Sequence, residues 1–133
     1  MAKEFTLEKN ERLKSRKLIE QLFKTGKSFN TFPFKVFYLL DSSSSTLQFG
    51  AGVSTKNFKK AVDRNRIKRL TREALRLQKN SVAELLKTSN KRLSVFFIYT
   101  QKELPDYKTI NDKTGLILKK LIKIINETDP SDT

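Results

Sequence analysis

The sequence predicts an α+β fold: an α-β sandwich in the order helix, strands, helix, strand, helix. Three observations predict it. Apolar residues recur at helical spacing near both ends of the chain and again in its middle. Two segments alternate apolar and polar residues as strands do, and a third is almost continuously apolar. Helices and strands therefore interleave, and the stable packing for that order is helices laid on one mixed sheet.

The first helix is predicted over Arg12 to Thr25, where Leu13, Leu18, Leu22 and Phe23 share a face and Gly26 follows as a stop. Phe32 to Leu40 reads as a strand, with Phe34, Val36 and Tyr38 on one face and Lys35 and Phe37 on the other. The serines from Ser42 to Ser45 read as a polar hairpin connection. The strand that follows, Thr46 to Val53, has Leu47, Phe49, Ala51 and Val53 on its core face. Gly50 and Gly52 lie on the opposite face, where another group can approach the backbone closely. A long helix spans about Lys59 to Lys79, with Ile67, Leu70, Ala74 and Leu77 on its buried side, and Ser81 to Lys87 forms a short helix or a helical turn. Leu93 to Thr100 suits a central strand. Pro105 and Asp106 open the last helix, Tyr107 to Asn126, which contains Leu116, Leu118, Leu121, Ile122 and Ile125. Residues 1–133 form one domain with a core over about 10–126, and the polar tail from Glu127 is predicted to be disordered.

Composition narrows the function. Hydrophobic residues make up 37%, enough to fold, yet 28 Lys and Arg face only 14 Asp and Glu, giving a net charge of +14. Such a field attracts polyanions, and nucleic acid is the commonest. The chain has no Cys, which excludes a disulfide framework and thiolate metal sites, and no His, the commonest general base. No apolar run approaches a membrane span, and Met1 to Asn10 carries no secretory signal, so a cytoplasmic location without membrane partners is expected.

The charge is concentrated. Ten basic residues between Lys56 and Lys79 are opposed only by Asp63 and Glu73, so this segment alone contributes +8. At 100° per residue, Asn65, Lys68, Arg69, Arg72 and Arg76 fall within an arc of about 100°, away from the apolar set. Like charges four apart, as in Lys68 with Arg72 and Arg72 with Arg76, destabilise an isolated helix by roughly 0.2–0.5 kcal/mol per pair. A purely structural helix would alternate its signs, so the ridge points to a ligand. Arginine guanidinium groups fork onto phosphate oxygens, and Asn65 offers both donor and acceptor to a base edge or a 2′-hydroxyl; the alternative is a solvated helix face with an Asn that merely caps a turn. On the strand face opposite Phe34, the combination of Lys35 and Phe37 suits unpaired nucleic acid, the ring stacking a base and the cation holding phosphate. Phe23 would close one side of that surface. The alternative is that Phe23 and Phe37 are ordinary core residues, and with ten Phe in 133 residues pattern alone favours that alternative.

The run from Ala61 to Leu70 (AVDRNRIKRL) with Arg72 resembles the signature of the bacterial ribonuclease P protein family, with its Arg-Asn-Arg core. Gly52-Val53-Ser54 and Lys56, Arg12-Leu13-Lys14, Leu22 to Gly26, and Phe34 to Tyr38 resemble that family's flanking segments, so the likeness covers about residues 10–125. The resemblance implies an α+β fold akin to ribosomal-protein domains, with a left-handed βαβ crossover into the basic helix. It implies that the partner is a catalytic RNA, which removes the 5′ leader from precursor tRNA by hydrolysis with Mg²⁺ that the RNA holds. On the protein, Lys56, Arg64, Asn65, Arg66, Lys68, Arg69, Arg72 and Arg76 would contact RNA. Ile19, Phe23, Lys35 and Phe37 would line a cleft for the single-stranded leader, with Ile19 standing where some relatives carry a second aromatic. No catalytic residue, protein-held metal or protein partner is expected. The carboxylates are scattered and show no spacing suited to a two-metal site. A ribosomal or other structural RNA-binding role is the main rival. A duplex-DNA reader is disfavoured, because the helix carries little base-reading chemistry beyond arginine.

Overall fold

The computed structural model describes residues 16–41 and 47–127, apart from the side chains of Arg16 and Leu18. In chain order the elements are α1 (Arg16–Thr25), β1 (Lys27–Thr31), β2 (Phe34–Asp41), β3 (Leu47–Val53), α2 (Ala61–Gln78), α3 (Asn80–Ser89), β4 (Arg92–Tyr99) and α4 (Tyr107–Glu127). The start predicted for the first helix, the Ser42–Ser45 segment and the polar tail after Glu127 lie outside the described residues.

The four strands form one sheet in the order β1-β2-β4-β3. The apolar run in β4 takes an interior position, antiparallel to β2 and parallel to β3. The predicted hairpin between β2 and β3 does not form, because β4 lies between them. Both strands pair with the most apolar strand, and β3 reaches its parallel neighbour through α2 and α3. The hairpin that does form joins β1 to β2 across a cis Phe32–Pro33 bond. Strand β1 escaped prediction because KSFNT has a single apolar residue, Phe29, and an edge strand tolerates so weak a pattern.

Alternation gives the sheet two different faces. Phe34, Val36, Leu47, Phe49, Leu93, Val95, Phe97 and Tyr99 are buried on one of them, under α2, α3 and α4. Helix α1 crosses the other face, where Leu22 is buried apart from the main core. Gly26 ends α1 by close approach: a Cβ there would lie 2.4 Å from the Leu22 carbonyl oxygen and 2.9 Å from that of Tyr38.

The buried stripe of α2 differs from the predicted one. Ile67, Thr71, Ala74 and Leu75 are buried, Leu70 is half-buried, and Leu77 is 44% exposed. The stripe is thus turned by about 60° around the helix axis. Leucines at 70, 75 and 77 carry equal hydrophobic weight, and only packing against β3 and α4 together selects among them. Thr71 can join the seam because its hydroxyl donates to the Ile67 carbonyl oxygen at 2.9 Å. Gln78 ties the same helix to α4, donating through Nε2 to the backbone and side-chain oxygens of Asn111 at 3.0 and 2.7 Å.

Helix α3 runs longer than predicted and ends at Asn90, which adopts the left-handed conformation and caps the helix. Helix α4 opens where predicted, and Asp106 caps it, accepting the Thr109 N–H at 2.8 Å. At the far end of α4, the buried Lys91 ammonium donates to the Ile125 carbonyl oxygen at 3.1 Å. No described helix is long and apolar enough to cross a membrane.

Candidate nucleic-acid interface

The turn of α2 about its axis decides which basic groups face outward. Asn65, Arg66, Arg69 and Arg72 are exposed, and Lys68 moves to a half-buried flank. Val62, Asn65, Arg66 and Arg69 line a shallow depression along one side of the helix. Val62 is 76% exposed, an apolar spot set among cations. Among the described residues, Arg66, Lys68, Arg69 and Arg72 have no side-chain hydrogen bond or ion pair, and no other element covers them. Lys56 is exposed on the loop that leads into α2.

Two basic residues predicted for the same surface are already engaged. Arg76 donates through Nε to Glu73 Oε2 at 3.2 Å and through Nη2 to Oε1. That hydrogen bond holds the guanidinium pKa above its ordinary value. Arg64 is half-buried and turns back from the ridge, its Nη1 donating to the carbonyl oxygens of Phe58 and Lys59, both at 2.8 Å.

The second surface lies on the α1 face of the sheet. The Phe23 ring is 42% exposed and packs against Phe37 at 4.8 Å between centroids, tilted by 59°. Phe37 is half-buried, and neither ring belongs to the main core. Lys35 is exposed beside it, with its ammonium 5.1 Å from the Phe37 ring centroid, within cation-π range. Ile19 is half-buried one helical turn before Phe23, so the apolar contact expected there is available. All four residues predicted for the cleft therefore sit on α1 and the face of β2 that α1 crosses.

Sequence reasoning missed the floor of this surface. Phe96 pairs in register with Phe37, and its ring meets Phe23 edge-on at 5.4 Å. Ile98 pairs with Lys35, and Gly52 with Ile98. A Cβ at Gly52 would lie 2.8 Å from the Phe96 ring, so only glycine lets the ring spread over β3 at that point. Alternation within LSVFFIYT holds the signal, yet the register that puts Phe96 opposite Phe37 is a tertiary fact. Among the described residues, no three acidic side chains gather into a set able to hold a metal ion.

The comparisons with known proteins agree with this geometry. A family model described as Ribonuclease P matches residues 7–122. The ribonuclease P protein component of Porphyromonas gingivalis is 37% identical over 132 residues, covering 96% of this chain and 92% of that one. The corresponding protein of Chlorobium phaeobacteroides is 31% identical over 128 residues, covering 87% and 88%. Among solved structures, the RNase P protein of Thermotoga maritima superposes with a TM-score of 0.63 at 28% identity, covering 83% of this chain and 96% of that one. That of Staphylococcus aureus gives 0.66 at 24% identity, covering 85% and 96%, a likeness of fold. With the signature in α2, the sheet order and the matched span all in place, the chain belongs to the ribonuclease P protein family.

Proposed function

We propose that this chain is the RNA-binding protein subunit of ribonuclease P, assembled in the cytoplasm with a catalytic RNA that removes the 5′ leader from precursor tRNA. One observation carries the proposal. The chain presents two separate surfaces suited to RNA: an exposed arginine ridge on α2, and an aromatic-basic surface on the other face of the sheet. The ridge, with Asn65, Arg66, Lys68, Arg69, Arg72 and the nearby Lys56, matches the dense phosphates of a folded RNA. The cleft, with Ile19, Phe23, Lys35 and Phe37, suits an unpaired strand whose bases stack while its phosphates meet an ammonium.

In this reading the chemistry, and the Mg²⁺ that serves it, stay with the RNA subunit. The protein's own contribution is to offset phosphate repulsion and to hold the leader, which raises the affinity for precursor and fixes its orientation. Adding the purified chain to ribonuclease P RNA at low Mg²⁺ should restore leader removal. Cleavage unchanged by the protein would instead favour a purely structural RNA-binding role.

A further inference from the structure

We infer that Arg64, the first arginine of the Arg-Asn-Arg triplet, is a positioning residue that faces the protein rather than the RNA and fixes the α2 ridge relative to the cleft. This rests on the ridge being the RNA-docking surface.

The loop of residues 54–60 joins the two surfaces. It leaves β3 after Val53, the chain neighbour of Gly52 beneath the Phe96 ring, and ends where α2 begins. The loop is tied down on three sides. Phe58 is buried, with its ring 6.1 Å from that of Tyr99. Asn57 Nδ2 donates to the Thr100 carbonyl oxygen at 3.2 Å. Thr100 in turn donates to the Pro33 carbonyl oxygen through both its N–H and its hydroxyl, each at 3.0 Å, two residues before Lys35 of the cleft. The third tie is Arg64, whose Nη1 spends its two hydrogens on the Phe58 and Lys59 carbonyl oxygens.

Lys60, at the N-cap position of α2, makes no side-chain cap that could do the same, and a cation in the first turn opposes the helix dipole. Two carbonyl acceptors offset that opposition, and they draw the guanidinium away from the outward arc occupied by Asn65, Arg69 and Arg72. What Arg64 holds is the segment carrying the exposed Lys56, Lys59 and Lys60. With it in place, these lysines and the ridge form one continuous cationic surface of fixed shape.

The test measures assembly of the full chain with ribonuclease P RNA across a salt titration, for Arg64→Ala, Arg66→Ala, a Lys59→Ala/Lys60→Ala pair and the triple variant with Arg64→Ala. Amide exchange at residues 57–60 is followed in the RNA-free protein. Arg64→Ala is expected to weaken assembly about tenfold, the order set by losing hydrogen bonds from a charged donor, and to speed exchange at 57–60. Most of its effect should vanish in the Lys59/Lys60 background, because those lysines are what it positions. Arg66→Ala should leave the loop amides unchanged and add independently to the lysine pair. An Arg64→Ala loss that persists undiminished in the lysine-free background, with loop exchange unchanged, would mean direct contact with RNA and overturn the inference. So would unchanged assembly in Arg64→Ala. If Arg64→Ala does not fold, Arg64→Met, which keeps the aliphatic stem and loses only the donors, goes through the same series. Failure of Arg66→Ala and Arg69→Ala to affect assembly would instead sink the docking role of the ridge itself.

Discussion

Single side chains carry the most direct tests. Arg66 and Arg69 have no partner among the described residues. Replacing either with Ala should weaken assembly with ribonuclease P RNA and lower the salt slope by about one for each phosphate no longer neutralised; a salt titration of the binding constant checks this. Arg76 is in a different state, since Glu73 occupies its guanidinium. Glu73→Gln should therefore tighten assembly severalfold at low salt, by releasing Arg76 and removing one of only two acids on the helix. In the cleft, Phe37→Ala should remove about 1–3 kcal/mol of binding to leader-bearing precursor, the worth of one stacked base, while sparing mature tRNA. Equal losses for both RNAs would make Phe37 a structural residue. Gly52→Ala should act in the same direction, because the new methyl displaces the Phe96 ring from the cleft floor.

Secondary-structure elements set where those side chains stand, and α4 supplies two tests at this scale. The Asp106 cap has its carboxyl pKa held below the ordinary 3.8 by the Thr109 hydroxyl and N–H. A depressed folded value means that the carboxylate's stabilisation is complete above the unfolded pKa and is lost as pH falls through the folded one. Asp106→Ala should lower the melting temperature at pH 7, and the gap from the parent should narrow in melts taken progressively below pH 3.8. Deeper in the same helix, the fully buried Thr114 hydroxyl has no hydrogen-bond partner among the described residues. Thr114→Val keeps the shape and removes an unsatisfied group, so denaturant unfolding should show a gain of about 1 kcal/mol. The helices also show how far pattern reading reached. The existence and type of α1, α2 and α4 followed from the sequence pattern, while α3 was legible only as a short helix or a turn, and the face that α2 buries was not legible. Leu75 and Leu77 are indistinguishable as residues, and only the simultaneous packing of α2 on β3 and α4 buries the first and exposes the second.

At the scale of the whole molecule, charge dominates. A chain with a net +14 repels itself when folded, and the uncovered ridge on α2 concentrates that repulsion. Ligands that bind the folded state stabilise it by mass action. Melting temperature should accordingly rise with sulfate or short RNA at constant ionic strength, beyond the effect of a non-binding salt. The same two-sided sheet that buries one core under α2, α3 and α4 leaves the α1 face free for a second job. The hairpin predicted from the serine run marks the limit of local reading here. The described strands on either side of it are separated by β4, which arrives only after α2 and α3 in the chain.

The sequence by itself determined the class of the fold, the cationic helix and the identity of its arginines, because periodicity and charge are local properties of neighbouring residues. It also placed Lys35 and Phe37 on the strand face away from Phe34, since alternation along one strand requires no partner. Only the tertiary structure decided the sheet order, the rotation of α2 that brings Arg66 outward, the inward turn of Arg64, and the meeting of Phe23, Phe37 and Phe96. Each of these depends on contacts between segments far apart in the chain, where several registers satisfy the same local pattern and close packing selects one.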